Sequence, residues 1–381
     1  MKAPRQAATS GRQLAVVVGV VTCVMSAKVG DGCRFSPENR AVLPDFRASY
    51  APVVENITLD EVDRGLLHAL QVDGRASFSR IADVLGVSDQ RVARRYRRLR
   101  STGMLRVVGV VDGRRLGYES WALRLRCTPD AASSIAEALG RRPDTSWVHL
   151  LSGGTEISCG TLQRTPAQRQ ELLLNKLART SRVLSVVAHR TLHVFVGGRI
   201  GWAGLAALSA DQVARLEAGR TYPGHGSTGE PVVSLSAGDE ALLRALSLDG
   251  RAVHADLAAA TGWSESTVKR RMEQLCAAGV LFFDMDVLPP LLGYQVEAQL
   301  WMSVPPAELH ATGRALTRHP EVAFAGATTG PHNLAASIVC RDDAAFYRYL
   351  TEDLGALPAI RQIETAPIIR TIKRAGALLP G

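Results

Sequence analysis

Between Ser88 and Arg100 the chain carries Arg91, Arg94, Arg95, Arg97, Arg98 and Arg100 against one acid, Asp89, a net charge of +5. At helical spacing Val92, Tyr96 and Leu99 fall at i, i+4 and i+7 and face a core, which turns Arg91, Arg94, Arg95 and Arg98 largely outward. A solvated helix normally intersperses acids among its bases. A face without them suits a polyanion, and guanidinium groups can bond phosphates and guanine edges alike in a major groove. Ser88, Gln90, Arg91, Arg94, Arg95 and Arg98 are therefore the candidate DNA-binding residues of this segment.

The segment occurs twice. Asp63, Leu66, Leu67, Leu70, Asp73-Gly74-Arg75, Gly86, Ser88, Val92, Arg94-Arg95, Leu99, Gly103 and Gly117-Tyr118 recur 176 residues later as Asp239, Leu242, Leu243, Leu246, Asp249-Gly250-Arg251, Gly262, Ser264, Val268, Arg270-Arg271, Leu275, Gly279 and Gly293-Tyr294. A gapless shift of this kind marks two copies of one folding unit. In the second copy the candidate DNA-binding residues are Ser264, Ser266, Thr267, Lys269, Arg270 and Arg271, but Glu265 and Glu273 cut the charge to +1 over residues 264–276. That copy either binds DNA more weakly or serves as a structural partner. With Ser266 and Thr267 where the first copy has Gln90 and Arg91, the two should prefer different base sequences.

Other chemistries find less support. Cys23, Cys33, Cys127, Cys159, Cys276 and Cys340 are scattered, with no C-x-x-C pair and no clustered histidines, so reduced thiols are expected and neither a disulfide nor a metal site. No nucleophile and base stand at a telling spacing; no catalytic residue and no cofactor are expected. The glycines between Gly197 and Gly229 lack the G-K-[ST] of a phosphate loop. With 46% hydrophobic and 21% charged residues the chain is not globally disordered, and its net charge of +9 favours a polyanionic partner. Lys2, Arg5 and Arg12 before the apolar run Leu14 to Met25 have the shape of a signal peptide. The run is too short to span a bilayer and no A-x-A pattern follows, so it reads as a non-domain extension, with Met25 as an alternative start, on a cytoplasmic protein with no membrane partner.

Each copy opens with three short helices. In the first, Asp60 caps helix one, Ser77 caps helix two, Gly86 breaks it, and Ser88 caps helix three, the spacing of a helix-turn-helix. A short strand follows at Met104 to Val111 and at Val280 to Val287. Beyond it each copy reads β-α-β-β-α-β, the ferredoxin-like order. After the middle turn the offset slips to 177, pairing Gly153 with Gly330, Glu156 with Asn333 and Val183 with Ile360. The fold class is α+β: two copies of a winged helix-turn-helix followed by a ferredoxin-like module. The expected domains are an extension over 1–56, a helix-turn-helix at 57–112, a module at 113–197, a linker at 198–232, a second helix-turn-helix at 233–288 and a second module at 289–381.

The pattern L-x-x-x-D-x-x-L-L-x-x-L, then D-G-R, a turn glycine, S-x-x-x-V-x-x-R and L-x-x-x-G-x-L ahead of a β-α-β-β-α-β module resembles the leucine-responsive and asparagine-synthesis (Lrp/AsnC) regulators, here in tandem. The resemblance implies a one-component transcription factor whose modules dimerise through their sheets and bind a small effector, often an amino acid, near the turn after the second strand. By matching positions Gly153 and Glu156, and Gly330, His332 and Asn333, lie there. Glycine-rich backbone could take a carboxylate and the acid or amide an ammonium group. A hairpin's need for positive φ explains the same glycines without a ligand. Since one chain holds both heads and both sheets, an internal pseudo-dimer is expected, with further self-association arraying more heads. The alternative of another class is an enzyme: sirohaem decarboxylases resemble this architecture, and His149, His189, His193, His310, His319 and His332 are available in or beside the modules.

Overall fold

The computed structural model describes residues 16–17, 58–177, 179–197, 204–220, 222 and 234–375. The signal-like run and the rest of the extension lie outside the described residues, except for the two-residue strand β1 (Val16–Val17) beside the last strand of the chain. Head one begins with α1 (Glu61–Val72), where Asp60 accepts from the Asp63 N–H at 2.9 Å and Asp63 accepts from the Asp60 N–H in return. Then come α2 (Phe78–Leu85), ended by Gly86 at φ +67°, α3 (Asp89–Ser101), capped by Ser88, and the wing strand β2 (Leu105–Val111). Module one is β3 (Glu119–Cys127), α4 (Ala132–Gly140), β4 (Thr145–Leu151), β5 (Glu156–Gln163), α5 (Pro166–Gln170, continued by a π-helical turn) and β6 (Val183–Val196). After the connecting helix α6 (Ala210–Ala218), head two repeats the design as α7 (Ala237–Leu248), α8 (His254–Thr261), α9 (Glu265–Ala277) and β7 (Leu281–Val287). Module two is β8 (Val296–Ser303), α10 (Pro306–Leu316), β9 (Val322–Thr328), β10 (Leu334–Cys340), α11 (Asp343–Arg348) and β11 (Gln362–Lys373).

Each module has the ferredoxin-like strand order, β4-β5-β3-β6 and β9-β10-β8-β11, and the two close on each other. The first half of β6 pairs with β3 and its second half crosses to β9; β11 likewise leaves β8 for β4. Eight strands thus form a ring without a free end. Its seams match residue for residue: Thr191 faces Thr328 and Val194 faces Gly326, while Ile368 faces Leu151 and Thr371 faces His149, every counterpart 177 positions away. A pseudo-twofold axis therefore relates the halves. Glu119 opposite Gln163 and Val296 opposite Cys340 already differ by 177, so the extra residue is Gln295, ahead of β8, and not in the middle turn as the sequence alignment has it. Sequence identity fades where the module begins, which hid the slip until the paired glycines made it visible.

The heads exchange parts too. Each wing strand pairs with the other head's wing, β2 against β7 from Leu105–Val287 to Val111–Leu281, so the wings form one shared ribbon instead of separate hairpins. Leu291 and Leu292 complete the core of head one, and Leu116, the twin of Leu292, enters the core of head two. The segment expected as a plain linker is partly packed. Leu205 and Leu216 are buried in head one, Gln212 Nε2 donates to the Val84 carbonyl at 2.8 Å, and Tyr222 enters the core of head two. The glycine-rich residues 223–229 lie outside the described residues.

Candidate nucleic-acid interface and effector turns

On α3 Val92, Tyr96 and Leu99 are buried, as their spacing requires. The arginines divide into two sets. Arg91, Arg94 and Arg97 are exposed and have no carboxylate partner among the described residues. Arg95 turns back into the head: its guanidinium meets Asp60 at 2.6 Å and Asp63 at 3.0 Å, and Arg98 meets Asp63 at 2.6 Å. Arg100 reaches Asp249 of head two at 2.6 Å. The expectation that Arg95 faces outward with the rest is thus corrected, whereas Arg98 is exposed as expected but spends its charge on Asp63. Asp63 is fully buried, and a buried carboxylate needs a counter-cation nearby.

Head two repeats the tie. Arg271, the twin of Arg95, holds the buried Asp239 at 2.5 and 3.0 Å. Burial pulls the Asp239 carboxyl upward, but the bonds from Arg271 and the Ser236 cap outweigh it and leave the group below the ordinary aspartate range. Lys269 and Arg270 stay exposed, without a carboxylate partner among the described residues. Ser88 and Ser264 both act as caps, accepting from the N–H groups of Arg91 and Thr267 at 3.3 Å. Ser266 bonds the Ser264 hydroxyl at 3.0 Å, Thr267 bonds it at 2.9 Å, and Gln90 is exposed on the first turn of α3.

What fixes the two helices relative to each other is the repeated D-G-R. Arg75 donates to the carbonyls of Gly250 and Ala252 at 2.6 and 3.0 Å, and Arg251 donates to those of Gly74 and Ala76 at 2.7 and 2.9 Å. The exchange is isologous, as in a symmetric dimer, though one chain makes it. Each guanidinium lies over aromatic rings, Arg75 over Tyr222 and Phe283, Arg251 over Phe78 and Tyr96. Locally D-G-R reads as no more than a turn; its recurrence in both copies is the available signal for an interface.

The two candidate effector turns are unlike. In module one Ser152, Gly153 and Gly154 take φ of +51°, +76° and +83°. The buried Glu156 beside them is bonded by Arg124 and, at 3.3 Å, by Ser152. Arg124 also grips Glu364 of module two and stacks 4.0 Å from the ring of Trp301, its twin across the pseudo-axis. In module two Asn333 spends its amide on the backbone of Val304, at 2.9 and 2.8 Å. Neither side chain is therefore open to an ammonium group as the matched positions suggested. Gly330 sits against His189 of β6, where a Cβ would fall 2.1 Å from the imidazole, and His332 Nε2 is a buried nitrogen without a hydrogen-bond partner among the described residues.

The remaining histidines are dispersed. His149 is buried against Thr371 at 3.0 Å, and desolvation with the Arg374 charge holds it neutral, down at about 3. His193 and His310 approach to 5.9 Å between ring centres, and His319 bonds Tyr349 at 3.2 Å. Among the described residues no three His, Cys, Asp or Glu gather as a metal site, Cys127, Cys159, Cys276 and Cys340 are free thiols, and no helix is long and apolar enough to cross a membrane.

An AsnC-type helix-turn-helix domain model matches residues 59–100 and again 235–275, and an Lrp/AsnC ligand binding domain model matches residues 297–378. Regulatory protein AsnC of Escherichia coli K12 is 31% identical over 142 residues, which cover 35% of this chain and 93% of that protein. The chain belongs to the Lrp/AsnC family. An uncharacterised HTH-type transcriptional regulator of Pyrococcus abyssi is 30% identical over 145 residues, 38% of this chain and 91% of its own length. Such relatives correspond to one repeat, so this Lrp/AsnC protein is a fused pair. The whole pair shares its fold with a solved sirohaem decarboxylase, NirDL, at a TM-score of 0.56 and 15% identity, over 84% of this chain and 95% of that one.

Proposed function

We infer that this Lrp/AsnC protein is a DNA-binding transcriptional regulator that responds to a small effector and works beside DNA in the cytoplasm. The observation that carries the reading is the exposed row Arg91, Arg94 and Arg97, left without carboxylates among the described residues while the neighbouring Arg95 and Arg98 are paired with Asp63. The DNA-binding residues on this reading are Gln90, Arg91, Arg94 and Arg97 in head one and Ser266, Thr267, Lys269 and Arg270 in head two. Ser88 and Ser264 serve by capping, Arg95 and Arg271 by holding the helices. Fluorescence anisotropy with genomic duplexes across a salt series tests this. Neutralising Arg91, Arg94 and Arg97 together should weaken binding and flatten the salt slope by about one unit per lost phosphate contact. Unchanged binding would refute it.

The effector, an amino acid or similar small acid on this reading, is best accommodated at the turn of module two. Support comes from the unbonded His332 nitrogen beside Gly330 and His189, against a module-one turn already filled by Arg124 and Glu156. Thermal unfolding with an amino-acid pool, repeated on His332→Ala, checks this: an effector at 100 times its Kd should add about 2.7 kcal/mol to the wild type alone. The enzyme reading rests on the fold shared with NirDL, and fold does not carry activity. Adding sirohaem should leave the tetrapyrrole spectrum and its carboxylates unchanged.

A further inference from the structure

We propose that the DNA site of this chain is non-palindromic: two unlike half-sites, read in one orientation by a single chain. The inference rests on the DNA-binding reading above and deepens it. A homodimeric regulator presents two identical helices and so selects a palindrome. Here the heads are held as a pair by the β2–β7 ribbon and the reciprocal Arg75 and Arg251 bonds, and α6 docks on head one. They cannot trade places.

The exposed faces share only part of their chemistry. Ser88 and Arg94 have their counterparts in Ser264 and Arg270. Gln90, Arg91 and Arg97, however, stand where head two has Ser266, Thr267 and Glu273. Arginine suits guanine edges and phosphates, glutamine suits adenine, threonine is permissive, and a glutamate repels phosphate and accepts from cytosine. The entry to α9 also differs in shape. A cleft of about 480 Å³ lies there between Trp263, Thr267 and Arg270, and Trp263 has its ring where a Cβ on Gly238 would fall, 2.1 Å away. Head one has Val87 and Val62 at those two positions. With Arg91, Arg94 and Arg97 exposed on one helix, and Lys269 and Arg270 offset by Glu265 and Glu273 on the other, head one anchors the duplex and head two discriminates.

The test is selection from a random duplex pool by the full chain, followed by titration of three equal-length duplexes: the selected site and the palindrome built from each of its halves. The selected motif should lack dyad symmetry, and each palindrome should bind about tenfold or more weakly. Two exposed-face variants, with folding checked by circular dichroism, turn preference into a reciprocal readout. Ser266→Gln with Thr267→Arg and Glu273→Arg should move preference to the palindrome of head one's half-site. Arg91→Thr with Arg97→Glu should move it towards the other palindrome. A palindromic motif, or equal affinity for all three duplexes, overturns the proposal while leaving DNA binding intact. Absence of binding to any duplex overturns the DNA-binding reading and this inference with it.

Discussion

Arg94 and Arg95 are neighbours in the sequence and opposites in the molecule. Arg94 faces solvent, so Arg94→Ala should leave stability within about 0.5 kcal/mol and lower DNA affinity by about 1–3 kcal/mol. Arg95 and Arg271 hold buried aspartates, and removing one partner of a buried pair costs about 3–5 kcal/mol. The copies are unequal in this respect. Asp63 keeps Arg98 when Arg95 is lost, whereas at position 274 head two has glutamine, so Arg271→Ala should lower the urea midpoint more than Arg95→Ala. Equal losses would mean that Arg98 does not share the charge. The helical spacing correctly put Val92, Tyr96 and Leu99 in the core, but helical spacing sorts apolar from polar, and two arginines on one polar arc look alike until the carboxylate on α1 is located.

Among the elements, the shared ribbon couples heads to ring. On the side of β7 bearing Asp284 and Asp286, Asp286 bonds Arg106 at 2.9 Å and Arg374, at the end of β11, at 3.4 Å, and Arg374 also meets Glu297. Burial, reinforced by Asp286, pushes the Asp284 carboxyl up to about 7 from an ordinary 3.8. A folded value above the unfolded one means stability that is complete in acid and declines as pH rises through that window. Wild type should therefore lose stability relative to Asp284→Asn between about pH 4 and pH 7, as urea titrations at pH 5 and pH 8 would read. A difference independent of pH would place the carboxyl in water. Strand and helix identities at this scale were legible from caps, breaks and alternation; that each wing pairs with the other head was not, because a lone strand says nothing of its partner.

For the whole molecule, one chain holds twice the unit that a single-repeat relative holds once, and its two halves close on each other. A fragment of residues 57–197 would expose the second half of β6, half a ribbon and an unpartnered Leu116, so it should dimerise and rebuild the ring with a second copy of itself. Sedimentation reads the outcome; a stable monomeric fragment would show that the seams are not needed for folding. By itself the sequence determined the duplication, the helix-turn-helix geometry, the β-α-β-β-α-β order and the excess charge near Arg94, since caps, glycine breaks, period and a fixed offset are all local properties of the chain. Only the tertiary structure decided which arginines remain free, which turn still offers an unbonded group, and that the two halves close into one ring. Those depend on ion pairs, hydrogen bonds and strand seams between residues 32 to 240 positions apart, and nothing in a local pattern encodes which distant partner satisfies a buried charge.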